Sequence, residues 1–249
     1  MYRIEYACIN TKGKVRESNQ DNFYAQGRYR YGTEKHNDIS VFGSIEDKEN
    51  SILAVYDGMG GESCGDMASL VAAGATVNFD KIPGNGRDVL LTMAVKQNSL
   101  ILEYAAFKKI DRMGSTLAAV RFSAEDMCFC NLGDSRIYKI SPYGISRLSV
   151  DHTAKNYFEQ KAPLTQYLGL PTDEFMIDPH ITQEKYANGI KYLLCSDGIT
   201  DMVDEKTIYD IVSSANDLKS ACAFLVEDAL EAGGHDNITA MLFEVIKNY

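Results

Sequence analysis

The sequence contains no tryptophan, only five prolines and only four histidines among its 249 residues. With so few prolines and no low-complexity tract, nothing in it resembles a Pro/Ser-rich linker. The chain therefore reads as a single domain over residues 1–249. The scattered histidines and the absence of a Cys/His cluster exclude the ligand spacing of a zinc site. Positive charge is also scarce. Lys and Arg number 25 against 35 Asp and Glu, a formal net charge of −10, which argues against a nucleic-acid or anionic-membrane binder because both need a positive face. Metal cations or basic partners suit this balance better. Long apolar runs are missing as well. The N-terminal stretch MYRIEYACINTKGK has no apolar core of the roughly 7–15 residues a signal peptide needs. The longest uncharged stretch, Met67 to Phe79, falls well short of the roughly 20 residues that span a bilayer. A cytoplasmic location without membrane association is the expectation.

The six cysteines, Cys8, Cys64, Cys128, Cys130, Cys195 and Cys222, lie mostly within apolar runs and read as reduced, small hydrophobic side chains. Strand-like runs are numerous: 4–9, 52–56, 116–122, 126–132, 135–140, 145–150, 190–196 and 238–245 are short and rich in β-branched or aromatic residues. Several are separated by short turns containing Gly, Asp or Pro, the spacing of antiparallel hairpins. Helical periodicity marks Ser63–Phe79, Arg87–Lys108 and a segment from Asn216, a good N-cap, to a stop at Gly233. Each helix has one apolar face and must pack on something flat. The expected architecture is α+β, with helices covering the outer faces of stacked antiparallel sheets.

The informative feature is where certain aspartates stand. Asp57 and Asp197 each close an apolar strand-like run and precede a glycine; Asp236 stands just before the last run, Asp134 follows Asn-Leu-Gly, and Asp21 follows the first sheet segment. Carboxylates gathered at the mouths of buried strands repel one another and take up protons. A hard divalent cation removes that conflict, and oxygen-only ligands suit Mg²⁺ or Mn²⁺. The glycines allow a backbone carbonyl or an oxyanion to approach closely. Each Asp-Gly pair taken alone is equally a turn or a helix cap.

Seven short motifs occur in order: Arg16-Glu-Ser-Asn19-Gln20-Asp21, Val55-Tyr-Asp57-Gly58-Met59-Gly60-Gly61, Asp111-Arg-Met-Gly114-Ser115-Thr116, Gly133-Asp134-Ser135-Arg136, Asp151-His152-Thr153, Ser196-Asp197-Gly198 and Asp236-Asn237. Together they resemble the metal-dependent protein phosphatase 2C family, especially its compact bacterial members, from about Tyr6 to Glu244. The resemblance implies a four-layer αββα sandwich carrying two Mn²⁺ or Mg²⁺ ions at one end of its sheets. Asp57 matches the carboxylate bridging both ions, and Gly58 the residue lending a backbone carbonyl. Asp197 and Asp236 match carboxylates of the first ion; Asp111 matches one that, with Asp197, holds a weaker third ion in some members. Gln20 and Asp21 stand where the family holds the second ion through water. Arg16 matches the guanidinium that grips the substrate phosphate, a task suited to its planar fork of donors. The implied reaction is in-line attack of a metal-bridging water or hydroxide on phosphoserine or phosphothreonine in phosphoprotein substrates, with a cognate Ser/Thr kinase as the opposing partner. A phosphatase-like module that binds phosphoproteins without turnover is the alternative, but its mark would be the loss of Asp57, Asp197 or Asp236.

The chain departs from the better-known pattern at several places. Gln20 replaces a Glu and removes one negative charge near the second ion. Met59 replaces a His proposed as general acid. The stretch Ala154–Lys185, where the family carries a mobile flap, is short, and Gly27–Asn50 is longer than usual and reads as an extended surface hairpin. Cys130 to Arg136 also fits the C-x5-R spacing of cysteine-dependent phosphatases, but both ends lie in strand-like runs, which suggests a hairpin rather than a phosphate cradle. Asp134, Ser135, Arg136, Asp151 and His152 read as scaffold around a turn.

Overall fold

Alternation within the apolar runs places every second side chain between two stacked sheets. The computed structural model describes residues 1–32, 38–46, 50–154, 162–171 and 176–247, excepting the side chains of 61–63. One sheet has the order β3 (Ile39–Glu46), β1 (Tyr2–Thr11), β12 (Ile238–Lys247), β11 (Lys191–Cys195), β8 (Arg136–Ser141), β9 (Gly144–Arg147). The other runs β10 (His180–Glu184), β7 (Met127–Leu132), β6 (Leu117–Phe122), β4 (Ile52–Met59), β2 (Asp21–Ala25), with β5 (Gly114–Ser115) paired to the end of β4. The described pairings are antiparallel.

Residues such as Tyr6, Leu53, Val55, Val120, Phe129, Leu194 and Phe243 fill the space between the sheets. Their neighbours in sequence face outward and are covered by helices. Ala54, Tyr56, Ala119 and Cys130 meet α1 (Gly61–Thr76) and α2 (Gly86–Lys108). Leu193, Cys195, Ala240 and Leu242 meet α3 (Asp197–Thr200), α4 (Glu205–Ser214) and α5 (Leu218–Glu231). The αββα layering expected from the sequence is the one observed.

Three expectations need correction. The N-cap of α5 is Asp217, whose side chain accepts from Ser220 N–H at 2.8 Å, and not Asn216. The segment from β7 to β8 is not a hairpin: β7 and β8 belong to different sheets, and Gly133–Ser135 carries the chain across the sandwich. Within Gly27–Asn50, residues 39–46 do not form a separate surface hairpin. They add an edge strand to β1, because Ile39, Val41 and Ile45 alternate onto the inter-sheet core. Residues 33–37 (including His36) and 47–49 of that stretch lie outside the described residues. No described helix is long and apolar enough to cross a membrane.

At the centre of the sandwich Phe243 stacks on Tyr192, with ring centroids 4.8 Å apart, and meets Phe122 edge-on at 5.2 Å. Phe243→Ala is expected to cost about 3–5 kcal/mol, read as a lowered urea midpoint with an unchanged slope; a loss under about 1 kcal/mol would contradict a close-packed core there.

Candidate metal centre

Antiparallel pairing sends the functional residues to one end of both sheets. Asp57 lies near the C-terminal end of β4 opposite Asp21, the first residue of β2. Asp197 follows β11, and Asp236 precedes β12. Arg16, Gln20, Asp57, Gly58, Asp197 and Asp236 line a cleft of about 570 Å³. Carboxylate oxygens of Asp57, Asp134 and Asp197 lie within 4.8 Å of one another. Three carboxylates this close raise one another's proton affinity unless a cation intervenes, and an oxygen-only donor set fits a hard divalent ion. Asp236 lines the same cleft, where the exposed Arg16 guanidinium donates to its Oδ2 at 2.6 Å.

The backbone around the aspartates is fixed from several sides. Asp57 N–H donates to Thr116 Oγ1 at 2.9 Å, and Thr116 N–H donates back to Asp57 O at 2.8 Å. Thr116 Oγ1 in turn shares a 2.6 Å hydrogen bond with Ser135 Oγ. The glycines of both Asp-Gly pairs serve close backbone approach. A Cβ on Gly58 would lie 2.0 Å from Gly65 O and 2.5 Å from Gln20 O, and one on Gly198 would lie 2.0 Å from Asn237 O. The partners admitted by these glycines are the chain's own carbonyls.

Asp21 does not line the cleft. It is buried behind it, its Oδ2 accepting from Ser196 Oγ and Thr239 Oγ1, both at 2.6 Å. Burial pushes its carboxyl up to about 6, against the opposing effect of the two hydroxyl donors. Its place is therefore support: it ties β2 of one sheet to Ser196 and β12 of the other. Gln20 does reach the cleft, and its main chain is held by Asn237 Oδ1, which accepts from Gln20 N–H at 2.8 Å.

Asp111 is not brought into the carboxylate group. It is exposed in the bend before β5, while Asp134 stands beside Asp57 and Asp197. From the sequence Asp134 reads as part of a turn, and the structure places it in a bend. His152 N–H donates to Gly133 O at 3.0 Å and Gly133 N–H donates to His152 Nδ1 at 3.1 Å, which pins the crossover that presents Asp134. Arg136 and Arg147 both pair with Asp151 nearby. Ala162, Pro163 and Leu164 border a second cleft shared with Asp57, Met59, Asp134 and Asp197. Of the anticipated flap over 154–185, residues 155–161 and 172–175 lie outside the described residues, and His180–Glu184 form β10 at the edge of a sheet. Cys130 is buried in the layer covered by α1 and α2, and burial pushes its thiol well above the usual range, so the C-x5-R spacing makes no thiolate site.

Burial lowers the His152 pKa below that of a free histidine, and His180 adds to the effect. The unfolded chain therefore takes up this proton first as pH falls through about 6.5, and the fold loses stability there. Protonation also removes the acceptor for Gly133 N–H. The melting temperature is expected to fall between pH 7.5 and 5.5 more steeply in the native protein than in His152→Gln; identical slopes would contradict this role.

Comparison with known proteins agrees with the geometry. The family model for protein phosphatase 2C matches residues 26–238. The serine/threonine protein phosphatase PstP of Mycobacterium tuberculosis is 28% identical over 98% of this chain, which spans only 45% of PstP's length. Serine/threonine phosphatase stp of Listeria welshimeri is 29% identical over 89% of this chain and 95% of its own. Among solved structures, the catalytic domain of PstP in complex with two manganese ions superposes with a TM-score of 0.81 at 26% identity, covering 99% of this chain and 100% of that one. With the same fold and a family match over most of its length, the chain belongs to the protein phosphatase 2C family.

Proposed function

We propose that the chain is a metal-dependent protein serine/threonine phosphatase. The observation that carries this reading is the convergence of the Asp57, Asp134 and Asp197 carboxylates beside a cleft that Asp57 and Asp197 line together with Asp236 and Arg16. Asp57, Asp197, Asp236 and the Gly58 carbonyl are the proposed holders of two divalent ions, Mn²⁺ or Mg²⁺, with Gln20 accepting or donating hydrogen bonds to their waters. When bound, such ions supply an activated water and neutralise charge on the phosphoryl oxygens.

The chain's own residues do the rest. Arg16 is exposed, so its guanidinium can turn from Asp236 to a phosphate dianion without a burial cost, and its fork of donors matches phosphate oxygens. The Thr116–Ser135 pair keeps the Asp57 backbone in place as charge changes at the carboxylate. Met59 lines the cleft as an apolar thioether and has no proton to give a leaving alcohol. A cytoplasmic setting, phosphoprotein substrates and a Ser/Thr kinase as the opposing enzyme complete the proposal. The substrate class is supported by the names of the relatives, and the six cysteines, none of them in a disulfide, suit the location.

Chelation is expected to abolish hydrolysis of a phosphothreonine peptide and added Mn²⁺ to restore it, while Cys130→Ser keeps native activity. Asp57→Asn is expected to lower kcat/KM by at least about a hundredfold, the upper end of what losing even an outer contact of a metal site costs. Equal background rates in the native protein and Asp57→Asn would favour the phosphoprotein-binding module instead. Arg16→Ala removes charge-assisted bonds to phosphate worth about 1.5–3 kcal/mol and should lower kcat/KM about 10- to 100-fold; an unchanged value would remove Arg16 from the phosphate site.

A further inference from the structure

Behind the cleft, the segment 18–21 is gripped on two sides. On one side Asn237, the neighbour of Asp236, donates from Nδ2 to Ser18 O at 2.9 Å and accepts Gln20 N–H at Oδ1. On the other side lies Arg30, from the unusually long stretch after β2. Its guanidinium donates to Asn19 O at 2.5 Å from Nη2, to Asp21 O at 3.1 Å from Nε and to Gly32 O at 3.3 Å from Nη1. Arg30 is only 5% exposed, which is uncommon for an arginine engaged chiefly with main-chain carbonyls. Its own backbone is locked by Asn22, whose Nδ2 donates to Arg30 O at 3.0 Å and whose Oδ1 accepts Arg30 N–H at 2.9 Å. Asp21 and Asp66 are the carboxylates whose charge offsets the buried cation.

We propose that Arg30 is a positioning residue for the metal and phosphate site, acting through the main chain of Asn19, Gln20 and Asp21. The proposal rests on the phosphatase reading above and adds a part to it. The route is short. Gln20 O accepts Gly58 N–H at 3.1 Å, and Gly58 follows Asp57. Gln20, Gly58 and Gly65 are packed so closely that no Cβ fits on either glycine. A displacement of Gln20 therefore passes to the backbone on which Asp57 and the Gly58 carbonyl stand. Arg16 lies three residues before Asn19 on the same segment. Without Arg30, the carbonyls of Asn19 and Asp21 would lose the guanidinium donors that hold them. The main-chain carbonyls of the segment would then lack a side-chain donor on that side, while the bonds from Asn237 to Ser18 and Gln20 and from Gly58 to Gln20 remain.

Arg30→Met keeps bulk and removes every donor; Arg30→Lys keeps the charge and a single donating nitrogen. Both are compared with the native protein by thermal melting, by calorimetric Mn²⁺ titration of the metal-free protein, and by kcat and KM for a phosphothreonine peptide at saturating Mn²⁺. Arg30→Met is expected to weaken Mn²⁺ binding and lower kcat/KM by about tenfold or more each, the range for lost support of a metal site, with Arg30→Lys between it and the native protein. A lowered melting temperature with Mn²⁺ affinity and kcat/KM within about twofold of native, well below the range for lost support of a metal site, would overturn the proposal and leave Arg30 a purely structural residue. If Arg30→Met does not fold, Arg30→Lys decides by the same threshold. A native protein that neither binds Mn²⁺ nor hydrolyses the peptide contradicts the phosphatase reading itself, and the proposal falls with it for that separate reason.

Discussion

A buried carboxylate ties the two sheets to each other at their functional end. Asp21 begins β2 of one sheet, and its Oδ2 accepts hydrogen bonds from the hydroxyls of Thr239, in β12 of the other, and of Ser196, just after β11. Ser196 precedes Asp197, and Thr239 lies three residues after Asp236. Asn10 extends the contact by donating to Thr239 Oγ1 at 2.8 Å while accepting from Asn19. A buried carboxylate is costly, and this one is pushed up to about 6 by burial even with two hydroxyl donors. A sandwich held only by apolar contacts could slide by fractions of an ångström. Directional hydrogen bonds at its mouth fix the relative placement of Asp57, from one sheet, and of Asp197 and Asp236, from the other.

The same logic explains the polar layers around the cleft. Thr116 and Ser135 hold Asp57, the reciprocal contact between Gly133 and His152 holds the turn bearing Asp134, and Asn237 holds Gln20. Each is a side chain satisfying main-chain groups next to a carboxylate. Preorganisation of this kind is what a metal site needs, since ligand orientation is set by the groups behind the ligands. The glycines after Asp57 and Asp197 serve the same end by admitting a carbonyl where a Cβ would collide. The global charge of −10 becomes less of an obstacle to an anionic substrate once it is seen where the carboxylates stand: several converge where cations would neutralise them.

Much of this was legible in the sequence because it follows period and order. Strands β6, β7, β11 and β12 alternate or run apolar throughout, helices α1, α2 and α5 carry apolar stripes, and the order of Asp-containing motifs named the cleft. The less legible parts depend on long-range partners. β2 is five residues long and fully buried, so it has no alternation to read. In β3 the alternation of Ile39, Val41 and Ile45 was present but is interrupted by Phe42 and Gly43, which hid the edge strand. Asp134 reads locally as a turn residue; only the crossing of Gly133–Ser135 from one sheet to the other carries it to Asp57 and Asp197. Asp111 lies in a family-like motif, yet the bend before β5 leaves it in solvent. Arg30 gave no signal at all, because a buried arginine bonded to carbonyls cannot be told from a surface one without the fold.

The central claim is that Asp57, Asp197 and Asp236 converge on bound cations at the mouth between the sheets. Anomalous diffraction at the manganese edge, from crystals grown with MnCl₂, tests it most directly. The account predicts strong anomalous peaks within coordination distance of Asp57, of about 2–2.3 Å for oxygen ligands, with Asp197 and Asp236 among the remaining ligands. Peaks confined to other acidic surfaces, with Asp57 bearing none, would contradict it.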